Sequence, residues 1–258
     1  VRPVGNGSAV VEGTRGTLRV MIQAEDFFHF SQMKGIENDD EATRQRRFLR
    51  KAKLMNGAII NFCPYLEAES EDGEVVFAGS RQDAMQLQRN RHFFGRNADV
   101  KEGTRAAASI LSTGPDYVIA EALGVETSIG AAALSAYEYI DNVADKFHVG
   151  EGIPVVIEDL NVDAENGTVS LRMNRAILER RANPAMNIHS LARGGAYGAT
   201  VTSVNERFYR LIVDVGNIQA RVALTSSDEL LTRGDRVTLL VYGYDDKRNY
   251  VWGACHKV

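Results

Sequence analysis

The chain has 258 residues, a net charge of −4, 44% hydrophobic and 25% charged side chains. That length exceeds one small barrel and suits two or three small domains, and the composition is that of an ordinary globular protein. The charge excludes a histone-like, wholly basic binder, and no apolar run approaches the ~20 residues of a membrane span.

Charge is unevenly spread. Residues 1–96 carry net +1 and residues 97–258 net −5, so attraction for a polyanion has to be local. Cys63 and Cys255 lie far apart in sequence and read as reduced thiols. The five histidines show no ligand spacing, so neither a metal site nor a cofactor is expected. No leader pattern is visible at Val1, and a cytoplasmic protein is expected.

Residues 1–13 are glycine-rich and unpatterned and read as an N-terminal arm. Thr17 to Ile22 is a strand candidate. Asp26-Phe27-Phe28-His29-Phe30 reads as a second strand or its turn. Glu37 to Met55 predicts a helix with Asn38 as cap, acidic residues in the first turn and basic ones at the end. Phe48, Ala52 and Met55 share one face at helical spacing, and Gly57 stops the helix. Ala58 to Cys63 is a strand, Asp72-Gly73 a hairpin signal, Val75 to Ala78 the return strand, and residues 82–94 are helical. This span, 14–96, reads as a divergent barrel domain, with 95–102 as linker.

Residues 97–180 are better patterned. Gly103 to Ile110 opens a strand, Thr113-Gly114-Pro115-Asp116 turns, and Tyr117 to Leu123 runs to Gly124. Val125 to Ile129 is a third strand, Ala131 to Asp145 carries mixed helical signals, and Ile153 to Ile157 is a fourth. Asn166-Gly167 marks a hairpin, and Thr168 to Arg172 returns. Five strands in about 70 residues bury a core only by closing into a barrel. Residues 181–258 repeat the order: strands near 198–204, 208–213, 218–222, 234–241 and 250–253, after a linker with Asn183-Pro184 and Gly194-Gly195. The expected fold class is all-β with helical inserts, built of tandem five-stranded OB-fold barrels.

Several marks carry a resemblance: the opening Gly103 and Ile110, Gly124-Val125-Glu126 after strand two, Leu134-Ser135, Val149-Gly150 with Ile153 and Val155, and Val169-Ser170-Leu171-Arg172. In this order they resemble the OB-fold RNA-binding repeat named after the largest protein of the bacterial small ribosomal subunit, the S-one-type domain. The stretch Gly79-Ser80-Arg81, with Ala84-Met85, is similar to S-one-like proteins of phages and mobile elements. The family binds RNA with aromatics on strands two and three, a strand-three histidine and nearby basic residues; bases stack on the rings and phosphates meet the cations. Tyr117 and Tyr209 each lie seven residues before the glycine that ends strand two, the place of a family aromatic. They fit either stacking platforms or half-buried barrel residues. The histidine's place falls near Gly130 and Ala223, so it is absent.

Basic candidates come in groups. Arg44, Arg46, Arg47, Arg50 and Lys51 cluster on the first helix; Arg81, Arg89 and Arg91 occupy the second helical stretch, with His92, Phe93 and Phe94 interleaved. Arg172 and Arg175 follow the second barrel, and Arg221 lies on the third strand of the last. These contact phosphates or form solvated helix faces. No nucleophile elbow, phosphate loop or metal-binding helix signature is present, so an enzyme is not expected. The leading expectation is a protein that contacts single-stranded RNA, with ribosome association implied by the resemblance. The alternative is a structural or assembly protein, such as a virion component, using its barrels for protein contacts.

Overall fold

The computed structural model describes residues 2–4, 8–12, 19–28, 40–69, 75–96, 98–136, 140, 142–182, 188–205, 210–216, 218–223, 231–246 and 250–258. Their strands form three five-stranded sets. The first holds β1 (Arg2–Val4), β2 (Ser8–Glu12), β3 (Arg19–Gln23), β4 (Cys63–Glu69) and β5 (Val75–Ser80), in the order β1-β2-β3-β5-β4. The second holds β6 (Arg105–Thr113), β7 (Tyr117–Ala122), β8 (Val125–Gly130), β9 (Gly152–Asp163) and β10 (Thr168–Asn174), in the order β10-β9-β6-β7-β8. The third is the closed barrel β11 (Ala196–Asn205), β12 (Arg210–Val215), β13 (Ile218–Ala223), β15 (Tyr250–Lys257) and β14 (Arg236–Asp245).

All three sets share one cyclic order, first-second-third-fifth-fourth, with the third and fifth strands parallel where they pair. That is the Greek-key order of an OB barrel. In the first set the ring is open between β1 and β4, and in the second it is open between β8 and β10, where Thr127 Oγ1 donates to Leu171 O at 3.0 Å. The fold is all-β with helical inserts and tandem five-stranded OB barrels. The helices are α1 (Ala24–Phe27), α2 (Glu41–Leu54), α3 (Arg81–Arg89), α4 (Ala131–Leu134) and α5 (Ala176–Ala182), and α3 runs on into a π-helical turn over Asn90–Phe94.

The chain divides into two compact units, residues 1–129 with 144–173, and residues 130–143 with 174–258. In the first unit, Val20, Ile22, Phe27, Phe28, Phe48, Ala52 and Met55 are buried in one cluster that also takes in Leu111 of β6. Phe27, Phe28 and Phe48 meet edge to face at 4.6–6.0 Å. The helical spacing of Phe48, Ala52 and Met55 is thus the buried stripe of α2. In the second unit, alternating residues of the closed barrel fill its interior, among them Val201, Leu211, Val213, Val237, Leu239, Val241 and Val251.

Several expectations for the first barrel are corrected. Within the stretch read as an arm, residues 2–4 and 8–12 are strands: β1 and β2 pair with each other, and β2 pairs with β3 over Ser8↔Gln23 to Glu12↔Arg19. The strand near Val20 is therefore the third of its barrel, not the first. The aromatic run at 26–30 begins as the single turn α1, because adjacent Phe27 and Phe28 are both buried, which strand alternation does not allow. The strand placed at 58–63 starts only at Cys63. The cap of α2 is Asp40, whose Oδ1 accepts from Thr43 N at 2.8 Å. Asn38 and Asp72-Gly73 lie outside the described residues.

Candidate nucleic-acid interface

α2 presents the basic face that its sequence implies. Arg44, Arg46, Arg47 and Arg50 are exposed opposite the buried stripe, and Arg46 Nε donates to Ala42 O. Lys51, one step further round, turns inward. Its Nζ lies 4.2 Å from the Phe28 ring centroid and 3.2 Å from Glu126 Oε1.

Arg81 is a correction. It reads as a phosphate contact in sequence, yet it is 1% exposed. Its guanidinium pairs with Glu121 of β7, lies 3.2 Å from Glu126 of β8, and donates to Phe27 O. Arg89 is also engaged, donating to Gly124 O at 2.8 Å and to Gln86 Oε1. Burial by itself would raise the Glu126 carboxyl, but the charges and hydrogen bonds of Lys51 and Arg81 hold it below its ordinary value. Three of the predicted cations thus bind the protein's own carboxylates and carbonyls. What attracts a phosphate in a sequence attracts a buried carboxylate equally.

These contacts cover a particular face. On β7 the inward residues are Val118, Ala120 and Ala122, leaving Tyr117, Ile119 and Glu121 outward. Ile119 packs on the phenylalanine cluster of the first barrel, and Glu121 meets Arg81. A β-bulge between Ile110 and Ser112 turns Leu111 into the same cluster. The β7–β8 turn, Leu123 and Gly124 with φ of 54° and 78°, lies so close to α3 that a Cβ at Gly124 would stand 2.2 Å from Met85 O. The outward face of β7 and β8 is therefore largely occupied in the second barrel by the first. Tyr117 alone of the outward β7 residues stays open, 40% exposed, its ring folded over Gly114.

The other sequence candidates scatter. Arg91 is exposed at the end of α3. Arg172 is exposed and pairs with Glu158 at 3.2 Å. Arg175 donates to Leu134 O and pairs with Glu179, bracing α4 against α5 in the second unit. Tyr209 lies outside the described residues.

In the second unit the closed barrel carries a different surface. Arg221 of β13 and Trp252 of β15 are register partners. The Arg221 guanidinium lies 4.0 Å from the Tyr250 ring centroid. Trp252 is 45% exposed and meets Tyr242 of β14, itself 43% exposed, edge to face at 5.9 Å. Gly243 makes room for this: a Cβ there would lie 2.9 Å from the indole. Trp252, Tyr242 and Tyr250 are not among the sequence candidates, although an alternating strand with Val251 inward places Trp252 outward. Among the described residues no cluster of three or more His, Cys, Asp or Glu is arranged to hold a metal ion, and no helix is long and apolar enough to cross a membrane.

No family model matches the chain, and no curated protein matches it. Among solved structures, one similar chain comes from the crystal structure of the a/eIF2alpha–aDim2p–rRNA complex of Pyrococcus horikoshii. The match has 18% identity and a TM-score of 0.25, covering 34% of this chain and 52%, about half, of that one. Another is a multidomain protein with nucleic acid binding domains from Streptococcus pneumoniae, at 9% identity and a TM-score of 0.20, covering 98% of this chain and 70% of that one. Superpositions this loose transfer no function.

Proposed function

We propose that the chain is a non-enzymatic nucleic-acid-binding protein that contacts single-stranded RNA, with the closed third barrel as its principal binding module. One observation carries the reading: Trp252 and Tyr242 stand exposed on the outer face of β15 and β14 in that barrel, beside a guanidinium stacked on Tyr250. Exposed rings next to a cation offer base stacking and phosphate attraction together, and stacking is worth ~1–3 kcal/mol per base. The exposed arginines of α2 add a sequence-independent attraction.

The sequence contains a single tryptophan. Fluorescence excited at the red edge of the band, where the nine tyrosines do not absorb, therefore reports on Trp252 alone. Saturable quenching by single-stranded RNA, stronger than by a duplex of equal length, is the expected result; an unchanged signal with every oligonucleotide would overturn the reading. Parallel titration with DNA of the same sequence tests the preference for ribose. A second reading, an assembly protein, draws on the second barrel, whose family-type face is already engaged in a protein contact through Ile119, Glu121 and Glu126. Under that reading the same strand faces bind protein, and Trp252 responds to no nucleic acid.

A further inference from the structure

Two clefts of the first unit differ in one respect. The cleft beside the β8–β10 seam has polar side chains that already have partners: Arg89 with Gln86 and Gly124 O, Asn166 with Asp163, Thr127 with Leu171 O. The other, about 390 Å³, lies between the 59–61 segment, the end of α3 and β6. Its polar lining includes Asn61, Gln88, Arg91 and His92, and among the described residues these four side chains have no hydrogen-bond or ion-pair partner.

The walls of this cleft are fixed. Ser109 Oγ donates to Ile59 O at 3.0 Å, and the neighbouring Gly57 carbonyl lies so near Gly150 that a Cβ there would be 2.5 Å away. That pinning holds Ile59 at the cleft with 63% of its surface in water. Ala107, Ser109 and Gly152 add only short or absent side chains, so the cleft stays open down to the strands. Its one lining carboxylate, Glu121, is paired with Arg81. Charge at the cleft is therefore cationic. Arg91 and His92 stand three and four residues beyond Gln88, on one side of the α3 end, where the helix widens into its π turn.

We propose that this cleft is a binding site for one nucleotide unit. A guanidinium holds a phosphate by paired N–H donors, and Arg91 supplies it. Asn61 and Gln88 each present a donor and an acceptor to a base edge. Ile59 and the His92 ring cover the base faces, and the volume falls in the range of small-ligand sites. The ligand class rests on the nucleic-acid reading above. The unit arrives either as a free mononucleotide or as one residue of a strand.

The experiment uses the full chain with isoleucine δ-methyl labels, the Ile59 signal being assigned by Ile59→Val. The probes are the four nucleoside 5′-monophosphates and single-stranded RNA of about ten nucleotides, with Trp252 fluorescence read on the same samples. The expected result is a saturable shift of the Ile59 methyl that Arg91→Ala weakens about tenfold, as loss of a charged hydrogen bond implies. Asn61→Ala or Gln88→Ala changes the ranking among bases. A response to monophosphates identifies a free-nucleotide site, and a response to the strand alone identifies a subsite along it. No Ile59 shift with any probe, or an affinity that Arg91→Ala leaves unchanged, overturns the proposal. If the strand quenches Trp252 while Ile59 stays still, the cleft fails and the proposed function stands. If Ile59 moves and Trp252 does not respond, the cleft stands and the third-barrel reading fails.

Discussion

At position 81 a guanidinium with 1% exposure is held by two carboxylates and a carbonyl. Removing one partner from a buried charge group leaves the others desolvated and unpaired. Arg81→Ala is therefore expected to destabilise the first unit by about 3–5 kcal/mol in chemical denaturation, with no new exposed surface to explain a binding change. The same cluster sets a pH dependence. The folded-state pKa of Glu126 is depressed, so its contribution is present above the ordinary carboxylate range and is lost as pH falls through the lowered value. Glu126→Gln should be less stable than the parent at neutral pH and show a shallower decline below about pH 4, read by thermal melts across an acid series. Trp252 is the opposite case. Its ring is exposed, so Trp252→Ala should leave the melting temperature nearly unchanged while weakening RNA binding by about 1–3 kcal/mol.

Elements in this chain are tied at their ends. Ser80, at the junction of β5 and α3, accepts from Asp83 N at 3.1 Å and caps the helix that carries Arg81. Ser80→Ala removes that acceptor, and a loss of about 1 kcal/mol in the unfolding free energy is expected. In the closed barrel the β14–β15 ladder passes Gly253, where a Cβ would stand 2.0 Å from Leu240 O. Gly253→Ala has to push two paired strands apart. A lowered melting temperature is expected, together with weakened Trp252 quenching, because Trp252 precedes this glycine on the same strand.

On the scale of the whole molecule, net charge opposes a polyanion while α2 attracts one. Binding should therefore weaken with salt. Replacing Arg46, Arg47 and Arg50 by Glu should lower affinity for all sequences alike. The logarithmic salt slope should flatten by about 0.7 for each phosphate of a single strand that the variant no longer neutralises. Affinity and slope both unchanged in isotherms at several salt concentrations would assign α2 to the solvated surface. Nucleic acid that co-purifies and leaves in a high-salt wash, read from absorbance at 260 and 280 nm, would agree with the same electrostatics.

What the sequence determined was local. Alternating apolar residues with Asn166-Gly167, Gly124 and Gly216 at the turns were enough to place the strands of the second and third barrels, because side-chain period and turn geometry depend on near neighbours. The stripe of Phe48, Ala52 and Met55 and the cationic face opposite it were equally legible. The first two strands were not, since β1 and β2 are short and glycine-flanked, and β1 is held by pairing with β2 and β2 by pairing with β3, partners their own pattern does not name. The tertiary structure decided which cations remain at the surface. Lys51, Arg81 and Arg89 look like Arg46 and Arg47 in a string of letters, but their contacts with Glu126, Glu121 and Gly124 O engage them, and Arg81 is buried as well. It decided likewise that Ile119 of the second barrel is covered and that Arg221, Tyr250, Trp252 and Tyr242 gather on one face of the third. A charge has the same attraction for an external phosphate as for an internal carboxylate, and only the path of the chain through space determines which of them it meets.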